Sequence, residues 1–157
     1  GAYVGKESNG ANDTLTYASG SNTWTWKDGL VHCTGKPVGA ICHGVLVLAR
    51  SKGANGVSVL ADRRTTCLPK YMERSGYLVS FWKLGRYYRT YPEYVEDEVV
   101  SQLTNPDQFE RGPRETQRRG TRTDHRHAFV VEDGNYVSAR WPGDAYLFAE
   151  RFIARLG

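Results

Sequence analysis

The spacing of apolar residues divides the chain into two parts at about residue 36. Residues 1–35 are rich in Gly, Ser, Asn and Thr and have no helical period. A weak alternation of polar and apolar residues at 14–17 and 23–26 predicts two short strands. From residue 37 onward the apolar residues group into longer segments, which are the recognisable part of a domain.

This second part alternates segments of strand length and helix length. Residues 37–42 form an apolar run of strand length, and 43–50 continue it without a spacer as a buried helix. Residues 56–61 predict a second strand. Residues 128–139 predict a hairpin whose turn lies at 132–135, because an Asp-Gly-Asn sequence there is a strong turn signal.

Three further helices are predicted from apolar residues three or four positions apart. The first begins near Pro69 and is marked by Leu68, Met72, Val79 and Trp82. The second is short, has an acidic outer face and is marked by Val95, Val99 and Leu103. The third has one continuous stripe that should pack on the sheet, formed by Ala145, Phe148, Ala149, Phe152, Ile153 and Leu156. Alternating strands and helices predict an α/β layered fold.

Length and composition favour one globular domain over residues 1–157. Hydrophobic residues make up 39% of the chain and charged residues 24%, a balance typical of folded proteins. No run of about 18 apolar residues is present, which excludes a transmembrane helix. The N-terminus lacks the basic and apolar regions of a signal peptide, and three cysteines are too few and odd in number for a disulfide framework. We therefore expect a cytoplasmic protein.

The net charge of +4 comes from one segment. Residues 111–126 contain six arginines against Glu115 and Asp124, an excess equal to the net charge of the whole chain. The surrounding segment 105–126, rich in Arg, Gly, Thr and Pro, is typical of an exposed loop. Phosphate binding by this loop is the alternative, and a solvated loop is the favoured interpretation.

Two other groups of residues have a functional and a structural interpretation. Aromatic residues between 82 and 94 alternate with basic ones, a pattern that can grip single-stranded nucleic acid but more often packs against a neighbouring element. His125 and His127 alternate as on a strand, but no third metal ligand accompanies them. We therefore expect no metal and no nucleic-acid partner.

The candidate chemistry lies where the apolar strand passes into the helix, at Cys42 and His43. A strand that turns directly into a helix bends sharply at one residue, whose side chain then projects above the sheet at a nucleophile elbow. The helix N-terminus there should favour the thiolate and lower the pKa of Cys42 below its free value. His43 is the candidate base, and its backbone N–H is a candidate oxyanion donor. Cys33 and Cys67 are in less favourable settings for reactivity.

The sequence of residues 36–44, Lys-Pro-Val-Gly-Ala-Ile-Cys-His-Gly, resembles the nucleophile motif of the ThiJ/PfpI superfamily, also called class I glutamine amidotransferase-like. The resemblance continues through residues 63–66, the helix after Pro69 and residues 135–145, and so covers about 36–157.

The resemblance implies a three-layer α/β/α flavodoxin-like sandwich with a mostly parallel sheet. It also implies attack by the Cys42 thiolate on a carbonyl or amide of a small molecule or peptide, and proton transfer through His43. Deglycase, glyoxalase and peptidase activities occur in the family. The resemblance implies that the protein uses no cofactor and forms a homo-oligomer.

The chain departs from the family before the elbow. Only 41 residues precede Cys42, and Glu7 is the one Glu among them, in a setting that does not match the family's upstream carboxylate. Asp62, at the end of the second predicted strand, is the downstream candidate for the third member of a triad; the alternative is that it pairs with Arg63 or Arg64. The atypical segment 1–35, or a second chain, should cover the edge of the sheet.

Two other classes of function remain open at this point. One is a non-enzymatic redox sensor or chaperone of the same fold, in which Cys42 is oxidised. The other is a nucleic-acid-binding module that uses the arginine-rich loop and the aromatic stretch. A carboxylate within hydrogen-bond reach of Cys42 Sγ would favour the enzyme over the sensor, because nucleophilic catalysis needs an oriented base.

Overall fold

The computed structural model of the protein describes 2–6, 12–18, 23–27, 32–34, 37–52, 56–85, 92–115 and 117–157, with side chains from residue 37 onward except those of 81 and 84. These residues form a mixed α/β fold with two sheets. Glu7 lies outside the described residues, and so do the side chains of Trp24, Trp26 and Cys33.

The first sheet is an antiparallel meander of four strands in chain order. Its strands are β1 (Ala2–Lys6), β2 (Asn12–Ala18), β3 (Thr23–Lys27) and β4 (His32–Thr34). The strands predicted at 14–17 and 23–26 are confirmed as parts of β2 and β3. Within the described residues, this sheet does not pair with the second one.

The second sheet contains the strand that leads to Cys42. It consists of β5 (Val38–Ile41), β6 (Val130–Asp133) and β7 (Tyr136–Ala139), in the order β5-β7-β6. Strand β7 runs parallel to β5 and antiparallel to β6. The predicted hairpin is confirmed, and its turn contains Gly134 with φ of 59°, a conformation that glycine adopts without strain.

The strand predicted at 56–61 is wrong. A single bridge between Lys52 and Ser58 replaces it, and residues 59–62 form a turn. Residues 58–61 are nevertheless buried, with Leu60 fully inaccessible. These residues can be buried without a neighbouring strand because backbone groups of the turn hydrogen-bond one another, for example the Arg63 N–H and the Leu60 carbonyl.

Four helices complete the described fold: α1 (Val45–Arg50), α2 (Lys70–Leu84), α3 (Val95–Ser101) and α4 (Ala145–Ile153). Helix α1 was predicted as the continuation of the apolar run and the other three from the spacing of their apolar residues; Pro69 lies immediately before α2 as expected. None of the helices in the described residues is both long enough and apolar enough to cross a membrane.

Helices pack against both faces of β5. An added Cβ at Gly39 would lie 2.7 Å from Phe148 of α4, so the absence of a side chain lets α4 approach the strand closely. The next residue, Ala40, belongs to the core on the opposite face, which is built from Val45, Leu46, Leu48, Ala49, Val59, Leu60, Cys67, Val95, Val99, Leu103 and Tyr136.

The apolar stripe of α4 packs on the sheet only in part. Phe148 and Phe152 are half-buried with their rings stacked 6.0 Å apart, whereas Ile153 and Leu156 are 65% and 60% exposed. Ala145 and Ala149 are exposed as well, so the expectation that the whole stripe packs on the sheet is wrong, and only the two phenylalanines are partly covered. Strand β5 is an edge strand within the described residues, so the sheet is too narrow to cover the whole helix face.

The segment 105–126 is mostly an exposed loop, as predicted, and it contains a short 3-10 turn at Pro106–Gln108.

A buried ion pair lies beneath this loop and binds its backbone. Arg140 and Asp144 are fully buried and bonded through two side-chain hydrogen bonds of 2.8 and 2.9 Å. Arg140 also donates to the Pro113 carbonyl, and Asp144 accepts from the Phe129 N–H.

Candidate active site

The backbone at Cys42 has the geometry of a nucleophile elbow. Strand β5 ends at Ile41 with φ of −131° and ψ of 139°, and Cys42 has φ of +60° before the chain enters α1 through a 3-10 turn. Cys42 is the only non-glycine residue with positive φ in the described part of the chain. Such a conformation costs about 1–3 kcal/mol and is found where the surrounding structure imposes it, often at active sites. The expected strand-to-helix bend is therefore present at Cys42 itself.

His43 lies against the cysteine side chain. Its Nδ1 is 3.4 Å from Cys42 Sγ, within hydrogen-bonding range for sulfur, and both residues are half-buried. When the neutral ring carries its proton on Nε2, the thiol can donate to Nδ1. The structure thus brings together the two residues that the sequence singled out, and it folds the imidazole back onto the nucleophile.

The pKa of Cys42 is raised, which corrects the expectation that the helix N-terminus would lower it. Burial of the sulfur is the largest cause, and the negative charge of Glu73 adds to it. A backbone hydrogen bond from His43 acts in the opposite direction but does not outweigh burial. Cys42 is consequently a thiol at neutral pH and needs a base before it can act as a nucleophile.

Glu73 is the residue near the elbow that the sequence did not reveal. Its side chain is 3% exposed, and its Oε2 accepts the backbone N–H of Val95 at 3.0 Å. Burial raises the pKa of Cys67, which is fully buried, and electrostatic interactions with Glu96, Cys42 and Glu73 raise it further. Nothing in the sequence distinguishes Glu73 from the exposed glutamates of other helices, because only tertiary packing buries it.

Asp62, the downstream candidate for the third member of a triad, does not hydrogen-bond the thiol. Asp62 is exposed and accepts a hydrogen bond from Thr104 Oγ1 at 3.0 Å. Its alternative pairing with Arg63 or Arg64 is also wrong, since Arg63 pairs with Asp133 and Arg64 pairs with a different carboxylate, Glu110.

Glu7 lies outside the described residues. No carboxylate in the described part of the chain hydrogen-bonds Cys42 Sγ, so the feature that would favour an enzyme over a sensor is not found among these residues. The base that this geometry provides is His43 instead.

The carboxyl ends of β5 and β7 meet at the elbow. Ile41 is paired with Ala139, so Cys42 and Arg140 follow side by side at the same edge of the sheet. The Arg140 guanidinium donates to the carbonyl of His127, whose Nδ1 lies 3.2 Å from Glu115 Oε2. His127 therefore pairs with a carboxylate at this end of the molecule. Among the described residues, no group of three or more His, Cys, Asp and Glu side chains is arranged to hold a metal ion.

Comparisons with known proteins show the fold alone. No family model and no curated protein matches the chain. The solved structure of a protein designated APC35852 is 21% identical over 76% of this chain, with a TM-score of 0.54. Rapid Encystment Protein 24 KDa (REP24) of Francisella tularensis is 22% identical over 77% of it, with a TM-score of 0.53. The chain spans 44% of the length of each of these proteins.

Proposed function

We propose that the protein is a cysteine-dependent hydrolase or lyase that attacks a carbonyl or amide carbon through Cys42. The observation that carries this proposal is the pairing of a strained backbone at Cys42, φ +60°, with an imidazole nitrogen 3.4 Å from its sulfur. A core cysteine that merely filled space would need neither feature.

The chemistry follows from the protonation state of Cys42. His43 Nδ1 takes the thiol proton as Sγ forms a bond to the substrate carbonyl carbon, and backbone N–H groups of the turn after Cys42 stabilise the oxyanion. For an amide, the C–N bond then breaks and the leaving amine takes the proton from His43. Water hydrolyses the resulting thioester, returning the proton to the thiol and releasing the acid.

We further propose that the second sheet belongs to a three-layer α/β/α sandwich of the flavodoxin-like kind. The support is that consecutive residues of β5, Gly39 and Ala40, face α4 and the core beside α1 respectively. Membership of the ThiJ/PfpI superfamily, the small-molecule or peptide substrate and the homo-oligomer stay predictions, because none of the comparisons links the chain to that family.

The raised pKa of Cys42 weighs against the sensor alternative. Cysteines that respond to peroxide are exposed and have lowered pKa values, because the thiolate is the reacting form. Cys42 is half-buried, and burial raises its pKa. A base-assisted nucleophile tolerates such a pKa, whereas an unassisted sensor reacts slowly with it.

An activated ester tests the proposal. The protein treated with p-nitrophenyl acetate should release nitrophenol with a burst and gain one acetyl group at Cys42, located by peptide mass spectrometry. Cys42→Ser should abolish the burst and the adduct. Cys67→Ser, the control at a cysteine buried in the core, should retain both.

His43→Gln should lower the acylation rate by about 10²–10⁴-fold, the usual contribution of a general base. Acetylation that persists in Cys42→Ser, or that is equally fast in His43→Gln, would contradict the proposal.

A further inference from the structure

Four cations of the arginine-rich loop form no ion pair with any residue that the structure describes. Arg111 pairs with Glu96 and Arg126 pairs with Asp124. The other arginines of the loop are exposed and form no ion pair with any described residue: Arg114, Arg118, Arg119 and Arg122. We call these four residues the arginine surface. Its charge is as large as the net charge of the whole chain.

Two members of the arginine surface lie over aromatic rings. The guanidinium carbon of Arg114 is 5.1 Å from the centroid of Tyr71, and that of Arg119 is 5.4 Å from the centroid of Trp141. Such cation–π contacts hold a flexible side chain in place. The outer face of each guanidinium remains available, and unpaired nucleic-acid bases stack on guanidinium planes as they do on aromatic rings.

The backbone that carries these arginines is anchored to the fold at several points. The N–H of Gly120 donates to the Gly143 carbonyl at 2.9 Å, and an added Cβ at Gly120 would lie 2.7 Å from that of Ala128. The Arg140 guanidinium donates a hydrogen bond to the Pro113 carbonyl. A surface ordered before binding loses less conformational entropy when a ligand arrives, so these anchors favour binding.

We propose that the arginine surface binds single-stranded nucleic acid. Arg118 and Arg122 contact phosphates, while bases stack on Arg114 and Arg119 above their aromatic supports. Trp141 follows β7 at the sheet edge where Cys42 follows β5, so the bound strand would lie at the same end of the molecule as the elbow. Four arginines without an ion pair to any described residue, two of them stacked on aromatic rings, distinguish this surface from an ordinary solvated loop.

Fluorescence anisotropy with a labelled oligodeoxythymidine of about 20 nucleotides tests the proposal. The two phosphates neutralised by Arg118 and Arg122 predict a slope of about −1.4 for log K against log salt between about 50 and 200 mM. The variant R118S/R119S/R122S should bind at least about tenfold more weakly, with the slope reduced to about zero, because both phosphate contacts are removed. The control R50S/K52S/R151S removes the same charge elsewhere and should keep both the affinity and the slope.

Two further measurements separate single strands from other polyanions. Trp141→Leu should weaken oligonucleotide binding about fivefold or more, because it removes the support of one stack, yet leave binding of inorganic polyphosphate unchanged. Thermal melting of every variant confirms that it is folded.

Four results would each overturn the proposal: no binding at about 50 mM salt, an equal loss in the control, an equal loss of polyphosphate binding in Trp141→Leu, or tighter binding to phosphatidylserine vesicles than to the oligonucleotide.

Discussion

Glu73 and Glu96 cap each other's helices. Glu73, in the first turn of α2, accepts the N–H of Val95 at the start of α3, at 3.0 Å. Glu96, in the first turn of α3, accepts the N–H of Lys70 at the start of α2, at 2.9 Å. Each carboxylate thus satisfies a backbone donor that the partner helix leaves unpaired and lies at the positive end of that helix. This reciprocal arrangement buries Glu73 close to Cys42.

The two glutamates should therefore have separable effects on Cys42. Glu73→Gln removes a negative charge that raises the Cys42 pKa, so this pKa should fall, as measured by the pH dependence of alkylation. Glu96→Gln disturbs the equivalent cap without removing that charge and is the matched control. Both variants should lose about 1–3 kcal/mol of unfolding free energy, because a buried hydrogen bond to a charged acceptor is weakened. An unchanged Cys42 pKa in Glu73→Gln would contradict the electrostatic account.

Cys42 should be alkylated faster than Cys67 at every pH, even though its pKa is raised. Cys42 is half-buried, whereas Cys67 is fully buried among core side chains. The rate at Cys42 should keep rising above the pH at which an exposed thiol reaches its plateau, because burial delays ionisation. Iodoacetamide labelling followed by peptide mass spectrometry measures both. A plateau near neutral pH would instead indicate a stabilised thiolate.

Asp144→Asn should cost about 3–5 kcal/mol, because it leaves the Arg140 guanidinium buried without its counter-charge. Urea denaturation measures this loss. Asp124→Asn is the control, since Asp124 pairs with Arg126 at the surface and its loss should not change the midpoint measurably. Equal effects of the two substitutions would mean that the buried pair does not hold the loop to the fold.

Gly39→Ala should destabilise the protein by about 1–3 kcal/mol, because its Cβ would meet Phe148 at 2.7 Å and Phe152 at 2.9 Å. The same substitution in a Phe148→Ala background should cost less, since the aromatic ring that it strikes is gone. A double-mutant cycle by thermal or urea unfolding measures this coupling. Additive effects would show that α4 does not pack against β5 at this position.

Local sequence patterns determined most elements of this protein. Apolar residues at helical spacing predicted α2, α3 and α4, the apolar run after β5 predicted α1, and the turn residues around Gly134 predicted the hairpin of β6 and β7. The direct passage from an apolar strand into a helix also placed a bend at Cys42, where the structure has positive φ. These features depend on the periodicity of a few neighbouring residues, which the sequence contains in full.

Tertiary packing decided what surrounds the elbow. Residues 56–61 have the composition of a strand, yet 59–61 lie buried in a turn, because burial alone does not supply a hydrogen-bonding neighbour. The reciprocal caps of Glu73 and Glu96 join residues 22 and 26 positions apart, so no local pattern could place a buried carboxylate near Cys42. The pKa of Cys42 rises for the same reason: desolvation depends on the side chains that fold over the sulfur from distant parts of the chain, and here it outweighs the helix N-terminus.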